Sequence, residues 1–250
     1  MSLAAAATRL QQHPFVTRLL QYVDLGPADL KSLEAIIDSE LLVRRRGDLI
    51  VDGDEFRKLC FVTEGYAVRY KLLRNGKRQI LNVILPGDIV GIPGSFFEKA
   101  IYSVSAITDV AMTACALDAY MQLCYRRPQF ALALTWIAVQ EAATYAEHII
   151  DIGRRTPIER LSHFLLELHA RLRMVGRAEA TRFTLPFSQE VMADVLGLSV
   201  PHVNRMMQRL RAEKLIAGGE RRVEFIDHGA LQAFAHYQPY ALAQIPPSAT

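Results

Sequence analysis

At 250 residues the chain has room for one or two domains and a full core, and its 51% hydrophobic and 22% charged content excludes a disordered protein. The net charge of +3 is too small to specify a partner, but residues 154–228 hold 13 Lys and Arg against 9 Asp and Glu, so the positive excess sits there. No run of about 18 apolar residues could span a membrane, and the start MSLAAAATRLQQHP lacks a signal peptide's basic region and apolar core, so a cytoplasmic protein is expected.

Residues 8–22 and 27–39 read as helices, the second opening with Pro27 in its first turn, where a missing N–H costs nothing. From Leu41 to about Leu117 the texture changes to short β-branched and aromatic runs. They are punctuated by Arg46-Gly47-Asp48, Asp52-Gly53-Asp54, Glu64-Gly65, Asn75-Gly76, Pro86-Gly87-Asp88 and Pro93-Gly94. Strands of this length and spacing predict a small sandwich or barrel. Asn75-Gly76, between YKLL and RQIL, is the clearest hairpin, because both turn positions tolerate positive φ. Cys60, Cys115 and Cys124 form no C-x-x-C pair; they read as buried thiols of a reducing compartment or, alternatively, as a redox sensor.

Helical texture returns at Leu117 and, past a break before Pro128, runs to about Ile152. Leu132, Trp136, Val139, Ala143, Ala146 and Ile150 are spaced 4-3-4-3-4, a heptad seam that predicts a two-stranded coiled coil and hence a homodimer. Leu134, Ile137, Ala142 and Ile149 lie on neighbouring faces, so the helix can also pack on its own barrel. Gly153 to Pro157 then reads as a hinge. Residues 158–175 form an amphipathic helix through Leu161, Phe164, Leu165, Leu168 and Leu172, followed by a strand at Phe183 to Leu185.

Residues 187–215, FSQEVMADVLGLSVPHVNRMMQRLRAEKL, read as two helices joined by a tight turn. Ser188 caps the first, which faces inward through Val191, Val195 and Leu196, and Gly197 ends it in a left-handed stop. Ser199 caps the second, with Pro201 tolerated in its first turn. At about 100° per residue, Val203, Met206, Met207 and Leu210 share one face. Pro201, His202, Asn204, Arg205, Gln208, Arg209 and Arg211 share the other, and such a face suits base edges and phosphates of double-stranded DNA. Residues 215–225 add a small hairpin with a basic arm, Arg221 and Arg222, so the whole predicts a winged helix-turn-helix. The last stretch, GALQAFAHYQPYALAQ, reads as a short helix broken at Pro239.

This order of elements resembles the CRP/FNR superfamily of bacterial transcription regulators. Three stretches carry the likeness: Arg46 to Ile50 with Gly53-Asp54, Leu85 to Gly91, and Ser199 to Leu210. The resemblance implies an α+β fold in three parts. These are a cyclic-nucleotide-binding-like β-roll with N-terminal helices (1–127), a dimerisation helix (128–153) and a winged helix-turn-helix with a C-terminal tail (154–250). It implies RNA polymerase as a partner, and a DNA-binding set of Ser188, Gln189, Ser199, Pro201, His202, Asn204, Arg205, Gln208, Arg209, Arg221 and Arg222. Arg205 matches the family's guanine-reading Arg. Pro201 stands where members reading TGTGA-like or TTGAT-like half-sites resemble one another in a Glu, so a different half-site is expected. Ser188, Gln189 and Ser199, at helix N-termini, are phosphate candidates.

The departures concern the effector. Cyclic-AMP-binding members carry a cassette resembling G-E-(L/I)-G…R-S/T-A, whose Glu takes the ribose and whose Arg takes the phosphate. Here Ile92 stands at the Glu, and Ile101 rather than Arg precedes Tyr102. A cyclic phosphate without a cation is poorly held, so cyclic-nucleotide response is the weaker alternative. The N-terminus has no cysteine for an iron–sulfur centre, and no histidine lies between His13 and His148 for a haem, which leaves only Cys60 and Cys115 as thiolate candidates. Gly91, Ile92, Phe96, Phe97 and Tyr102 are the candidate effector pocket, suited to an apolar effector or to simple core filling. No cofactor, metal site or catalytic residue is predicted, and the chain is read as a regulator rather than an enzyme. A cupin-like metalloenzyme fused to a DNA-binding tail is the alternative from another class, and the histidine-free barrel argues against it. A third reading makes the barrel a ligand-free dimer scaffold.

Overall fold

A computed structural model describes residues 13–37, 42–44, 47–219 and 221–239. The expected helical start at 8–12, Arg46, and the stretch beyond 239 lie outside these residues. Two short helices come first, α1 (Pro14–Leu19) and α2 (Pro27–Glu34). Proline opens each in its first turn, and His13 caps α1 by accepting the Phe15 N–H at Nδ1. α1 begins only at Pro14 and ends at Leu19, and α2 ends at Glu34, each before the end read from the sequence. Eight strands follow: β1 (Leu42–Arg44), β2 (Gly47–Ile50), β3 (Lys58–Glu64), β4 (Ala67–Leu72), β5 (Arg78–Ile84), β6 (Ile89–Val90), β7 (Ser103–Ala106) and β8 (Val110–Ala116). They form two four-stranded sheets in the orders β1-β8-β3-β6 and β2-β7-β4-β5, in keeping with the sandwich or barrel read from the turn spacing and with the β-roll that the resemblance implies. The Asn75-Gly76 turn closes as predicted. Gly76 sits at φ 78°, Leu73 N–H donates to the Lys77 carbonyl at 2.8 Å, and Gly76 N–H to the Leu73 carbonyl at 2.9 Å.

The remaining elements are α3 (Leu117–Arg126), α4 (Pro128–Gly153), α5 (Pro157–Met174), β9 (Arg182–Thr184), α6 (Gln189–Leu196), α7 (Val200–Ala212), β10 (Ile216–Ala217), β11 (Arg222–Phe225) and α8 (His228–Phe234). Arg127 interrupts α3 and α4 because a residue before proline is pushed out of the helical region. The final helix stops at Phe234, short of Pro239, and Asp227 caps its start by accepting the Ala230 N–H.

Among the described residues the chain forms two compact units. One holds the chain up to Lys71 and Val83–Ala142; the other holds Leu72–Asn82 and the chain from Ala143 onward. The boundary falls inside α4. The core of the first unit centres on Phe61, stacked on Phe15 at 4.2 Å between ring centroids and flanked by Tyr120, with Phe130 of α4 beyond. All three cysteines are buried. In the second unit α5 buries Leu161, Phe164, Leu165, Leu168 and Leu172, the predicted stripe. It opens with Thr156, whose N–H donates to Glu159 at 2.8 Å; that bond holds the Glu159 carboxyl below its usual range. Among the described residues no helix is long and apolar enough to cross a membrane, and no group of His, Cys, Asp and Glu is arranged to hold a metal.

Candidate nucleic-acid interface

In the second unit, α6 and α7 form the helix-turn-helix. α6 buries Val191, Met192, Ala193, Val195 and Leu196, and ends at Gly197 with φ 64° and ψ 35°, the left-handed stop expected. Leu198 N–H then donates to the Ala193 carbonyl at 3.0 Å, which closes the turn tightly enough to start α7 three residues on. Val203, Met207 and Leu210 anchor α7, while Met206, placed with them on periodicity, is only half-buried. The anchoring stripe is therefore narrower than expected, and more of the helix is left at the surface.

That surface carries the predicted readers. Pro201, Arg205, Gln208 and Arg209 are exposed, and His202 and Asn204 half-exposed. Ser188 and Ser199 stand at the N-cap positions of α6 and α7, yet neither side chain makes the capping hydrogen bond that their residue type suggested. Gln189 is half-exposed in the first turn of α6. Two arginines are partly committed. Arg209 Nε meets Glu213 at 2.7 Å in an exposed pair, and Arg211, expected on the DNA face, donates to the Gly219 carbonyl at 2.9 Å and braces the wing turn.

The wing is a three-stranded sheet, β10-β11-β9. Ile216 faces Phe225 and Val223 faces Phe183, so its inner side joins the core, while Arg221 and Arg222 stay exposed. Gly218 is required here: at φ 109° a Cβ would lie 1.9 Å from the Arg222 carbonyl oxygen.

Several polar residues that hold this interface were not legible from the sequence. Carbonyls in the last turn of α6 lack intrahelical partners, and long side chains from distant segments satisfy them. Arg160 donates to the Leu196 carbonyl at 2.5 Å, and Gln79 to those of Asp194 and Val195 at 3.1 and 3.3 Å. Arg78 pairs with the Asp194 carboxylate at 2.9 Å through Nε. Behind them His148 lies between Glu167, 2.8 Å from Nε2, and the Leu81 carbonyl, 3.3 Å from Nδ1. Both partners are acceptors, so the imidazole satisfies both only when doubly protonated. Burial pulls its pKa down, but Glu167 and Asp151 outweigh burial and the opposing Arg171, and the pKa is raised. Glu167 is pushed up by burial and held down more strongly by His148 and Arg171, at about 2.

The candidate effector residues divide. Gly91, Ile92 and Tyr102 come together in the β-roll, with Tyr102 Oη donating to the Ile92 carbonyl at 2.5 Å and accepting the Gly94 N–H at 3.0 Å. Phe96 and Phe97 do not join them. They are 49% and 50% exposed, on and just after the 3₁₀ turn Gly94–Phe96, so they do not fill the core. The reason is local: Gly94 and Ser95 turn inward, Ser95 fully buried and donating to the Lys58 carbonyl at 2.7 Å, and Phe96 and Phe97 after them are carried outward. On α4, Phe130, Ala133 and Ile137 are buried. Of the seam residues, Leu132, Val139, Ala146 and Ile150 are exposed, and Trp136 and Ala143 half-exposed.

A β-roll, a long helix with an exposed apolar face and a winged helix-turn-helix define the class of DNA-binding transcription regulators with a sensor-type domain. The family description Crp-like helix-turn-helix domain matches residues 159–234, and Cyclic nucleotide-binding domain matches residues 40–127. The chain is 30% identical over 228 residues to the transcriptional activatory protein AadR of Rhodopseudomonas palustris, covering 91% of this chain and 93% of that one. It is 31% identical over 174 residues to the nitrogen fixation regulation protein FixK of Bradyrhizobium diazoefficiens, covering 70% and 72%. The structure of FixK2 from Bradyrhizobium japonicum superposes with a TM-score of 0.71 at 25% identity, over 82% of this chain and 98% of that one. The chain belongs to the CRP/FNR family of DNA-binding transcription regulators.

Proposed function

We propose that the protein is a cytoplasmic homodimer that reads an inverted-repeat operator, with α7 of each protomer in a major groove and half-sites about one helical turn apart. The observation that carries this reading is the outer face of α7, where Arg205 and Gln208 stand exposed beside His202 and Asn204. Arg205 makes a bidentate contact to guanine, and Gln208, His202 and Asn204 reach neighbouring bases or phosphates. Ser188, Gln189, Ser199, Arg209, Arg221 and Arg222 hold phosphates on either side. Pro201 starts the helix without offering a carboxylate to a base edge, so the half-site differs from those that a Glu would read.

Dimerisation runs through Leu132, Trp136, Val139, Ala143, Ala146 and Ile150. An apolar seam at heptad spacing, exposed at Leu132, Val139, Ala146 and Ile150 and half-exposed at Trp136 and Ala143, supports this. Relatives described as activators support contact with RNA polymerase. The test is selection of duplexes from a random pool by the purified protein, followed by Arg205→Ala. An enriched inverted repeat is expected, with specific affinity falling at least about tenfold in the variant while affinity for random DNA holds. Equal loss on specific and random duplexes would reduce Arg205 to a phosphate contact.

A further inference from the structure

The hairpin between β4 and β5 belongs, from Leu72 to Asn82, to the same compact unit as the helix-turn-helix. Its second strand is anchored there at successive residues. Arg78 and Gln79 hold the last turn of α6, the Leu81 carbonyl lies 3.3 Å from His148 Nδ1, and Asn82 Oδ1 accepts from Arg171 at 3.0 Å. Gln79 Oε1 also stands 4.0 Å from where a Cβ on Gly197 would lie, so the hairpin reaches the turn that leads into α7. Beyond these anchors the tip, Leu72 to Lys77, is exposed at every residue. Three hydrogen bonds tie it: Leu73 N–H to the Lys77 carbonyl, Gly76 N–H to the Leu73 carbonyl, and Lys77 N–H to Asn75 Oδ1 at 3.0 Å.

The charge on this tip is one-sided. The stretch LLRNGKRQ carries Arg74, Lys77 and Arg78 and no carboxylate. Asp194 answers Arg78, while no carboxylate among the described residues pairs with Arg74 or Lys77. Two like charges on a tied turn contribute nothing to the fold, and they complement a row of phosphates. The rows that bound a major groove lie about 12 Å apart. Ser199, which starts α7, follows Asp194 by five residues, at most about 17 Å of even fully extended chain. The anchored hairpin thus stands about one groove width from the start of α7. We infer that Arg74 and Lys77 form a second phosphate-binding arm, which grips the DNA backbone beside the groove that α7 enters. The inference rests on the DNA reading of α7 above. Leu72 and Leu73 are 65% and 52% exposed, which makes a protein the competing occupant; the carboxylate-free charge and the anchorage on α6 favour DNA.

The experiment titrates the full chain with the selected operator and with a random duplex, by fluorescence anisotropy, from about 50 to 300 mM potassium chloride. Arg74→Ala/Lys77→Ala should bind both duplexes about tenfold or more weakly, and to an equal extent, because phosphates carry no sequence. The slope of log affinity against log salt should become shallower by at least about 2, out of about 3.6 for four phosphate contacts per dimer. Arg74→Lys/Lys77→Arg, which keeps the charge, should bind as wild type does. All variants should unfold at the wild-type temperature, because the tip is exposed, and this separates a lost contact from misfolding. A double-alanine variant with wild-type affinity and salt slope would overturn the inference, as would a loss confined to the operator. The same unchanged binding with failed transcription from the operator would assign the tip to a protein partner instead. A wild type that enriches no operator would sink the reading of α7, and the salt slope on random duplex would then decide the arm by itself.

Discussion

The His148–Glu167 pair makes the stability of the second unit depend on pH in a way that the structure allows to be worked out. Glu167 falls from its ordinary 4.5 to about 2 against the opposing effect of burial; at about 1.4 kcal/mol per tenfold change in proton affinity this corresponds to about 3 kcal/mol. Arg171, 3.1 Å from the other carboxylate oxygen, shares that stabilisation. Replacing His148 by Gln should therefore cost about 2 kcal/mol rather than the whole, since one cation stays in place. Because His148 is raised in the folded state, its contribution is fully present below its ordinary pKa of 6.5 and is lost as pH rises through the elevated folded value. Glu167, depressed, contributes above 4.5, and that contribution fades as pH falls towards about 2. The difference in unfolding free energy between wild type and His148→Gln should therefore be largest from about pH 4.5 to 6.5 and shrink on the alkaline side. Urea titrations across pH 4.5–9.5, followed by a probe in the second unit, measure it. His169, which burial holds below its ordinary pKa, adds an acid-side slope of its own, and taking the difference removes it. A difference of under about 0.5 kcal/mol, or one constant from pH 5 to 9, would refute the doubly protonated imidazole.

Gly218→Ala should destabilise the wing by more than about 1 kcal/mol, because φ is 109° and the added carbon meets the Arg222 carbonyl; unchanged melting and DNA affinity would contradict that geometry. Phe61→Ala, fully buried and stacked on Phe15, should cost about 3–5 kcal/mol in the first unit, and a loss below about 1 kcal/mol would mean that the site collapses around the gap. Val139→Asp places a charge on a side chain 51% exposed in the single chain. It should leave the protomer's fold within about 0.5 kcal/mol while driving sedimentation to monomer, and a persistent dimer would move the interface elsewhere. Gly197→Ala, with its nearest neighbouring atom at 3.8 Å, should cost only the left-handed backbone, about 1 kcal/mol; a much larger loss would point to a clash absent from the structure.

Local chemistry made most of the architecture readable in advance. Glycine-bearing turns at regular spacing marked a small sandwich or barrel, proline marked the starts of α2, α4 and α5, though Pro14 was passed over inside a longer helix, and Gly197 and Gly218 stand where a side chain is strained or excluded. Periodicity placed the outer face of α7 because a helix so short, anchored at Val203, Met207 and Leu210, leaves little choice of orientation. Phe96 and Phe97 went astray for the opposite reason. In an irregular turn no period fixes which neighbour points inward, and Ser95 took the interior through one hydrogen bond to Lys58.

What the sequence determined by itself is therefore the order and kind of elements and the exposed polar and basic face of α7, since these reside in residue types at short spacing. Only the tertiary structure decided that Arg69 meets Glu141 across 72 positions, that His148 joins Glu167 to Leu81, and that Gln79 and Arg160 close the end of α6. Each of these is a pairing of isolated polar residues far apart along the chain. A charge carries no sign of its partner until folding removes both from water and makes the pairing an energetic necessity.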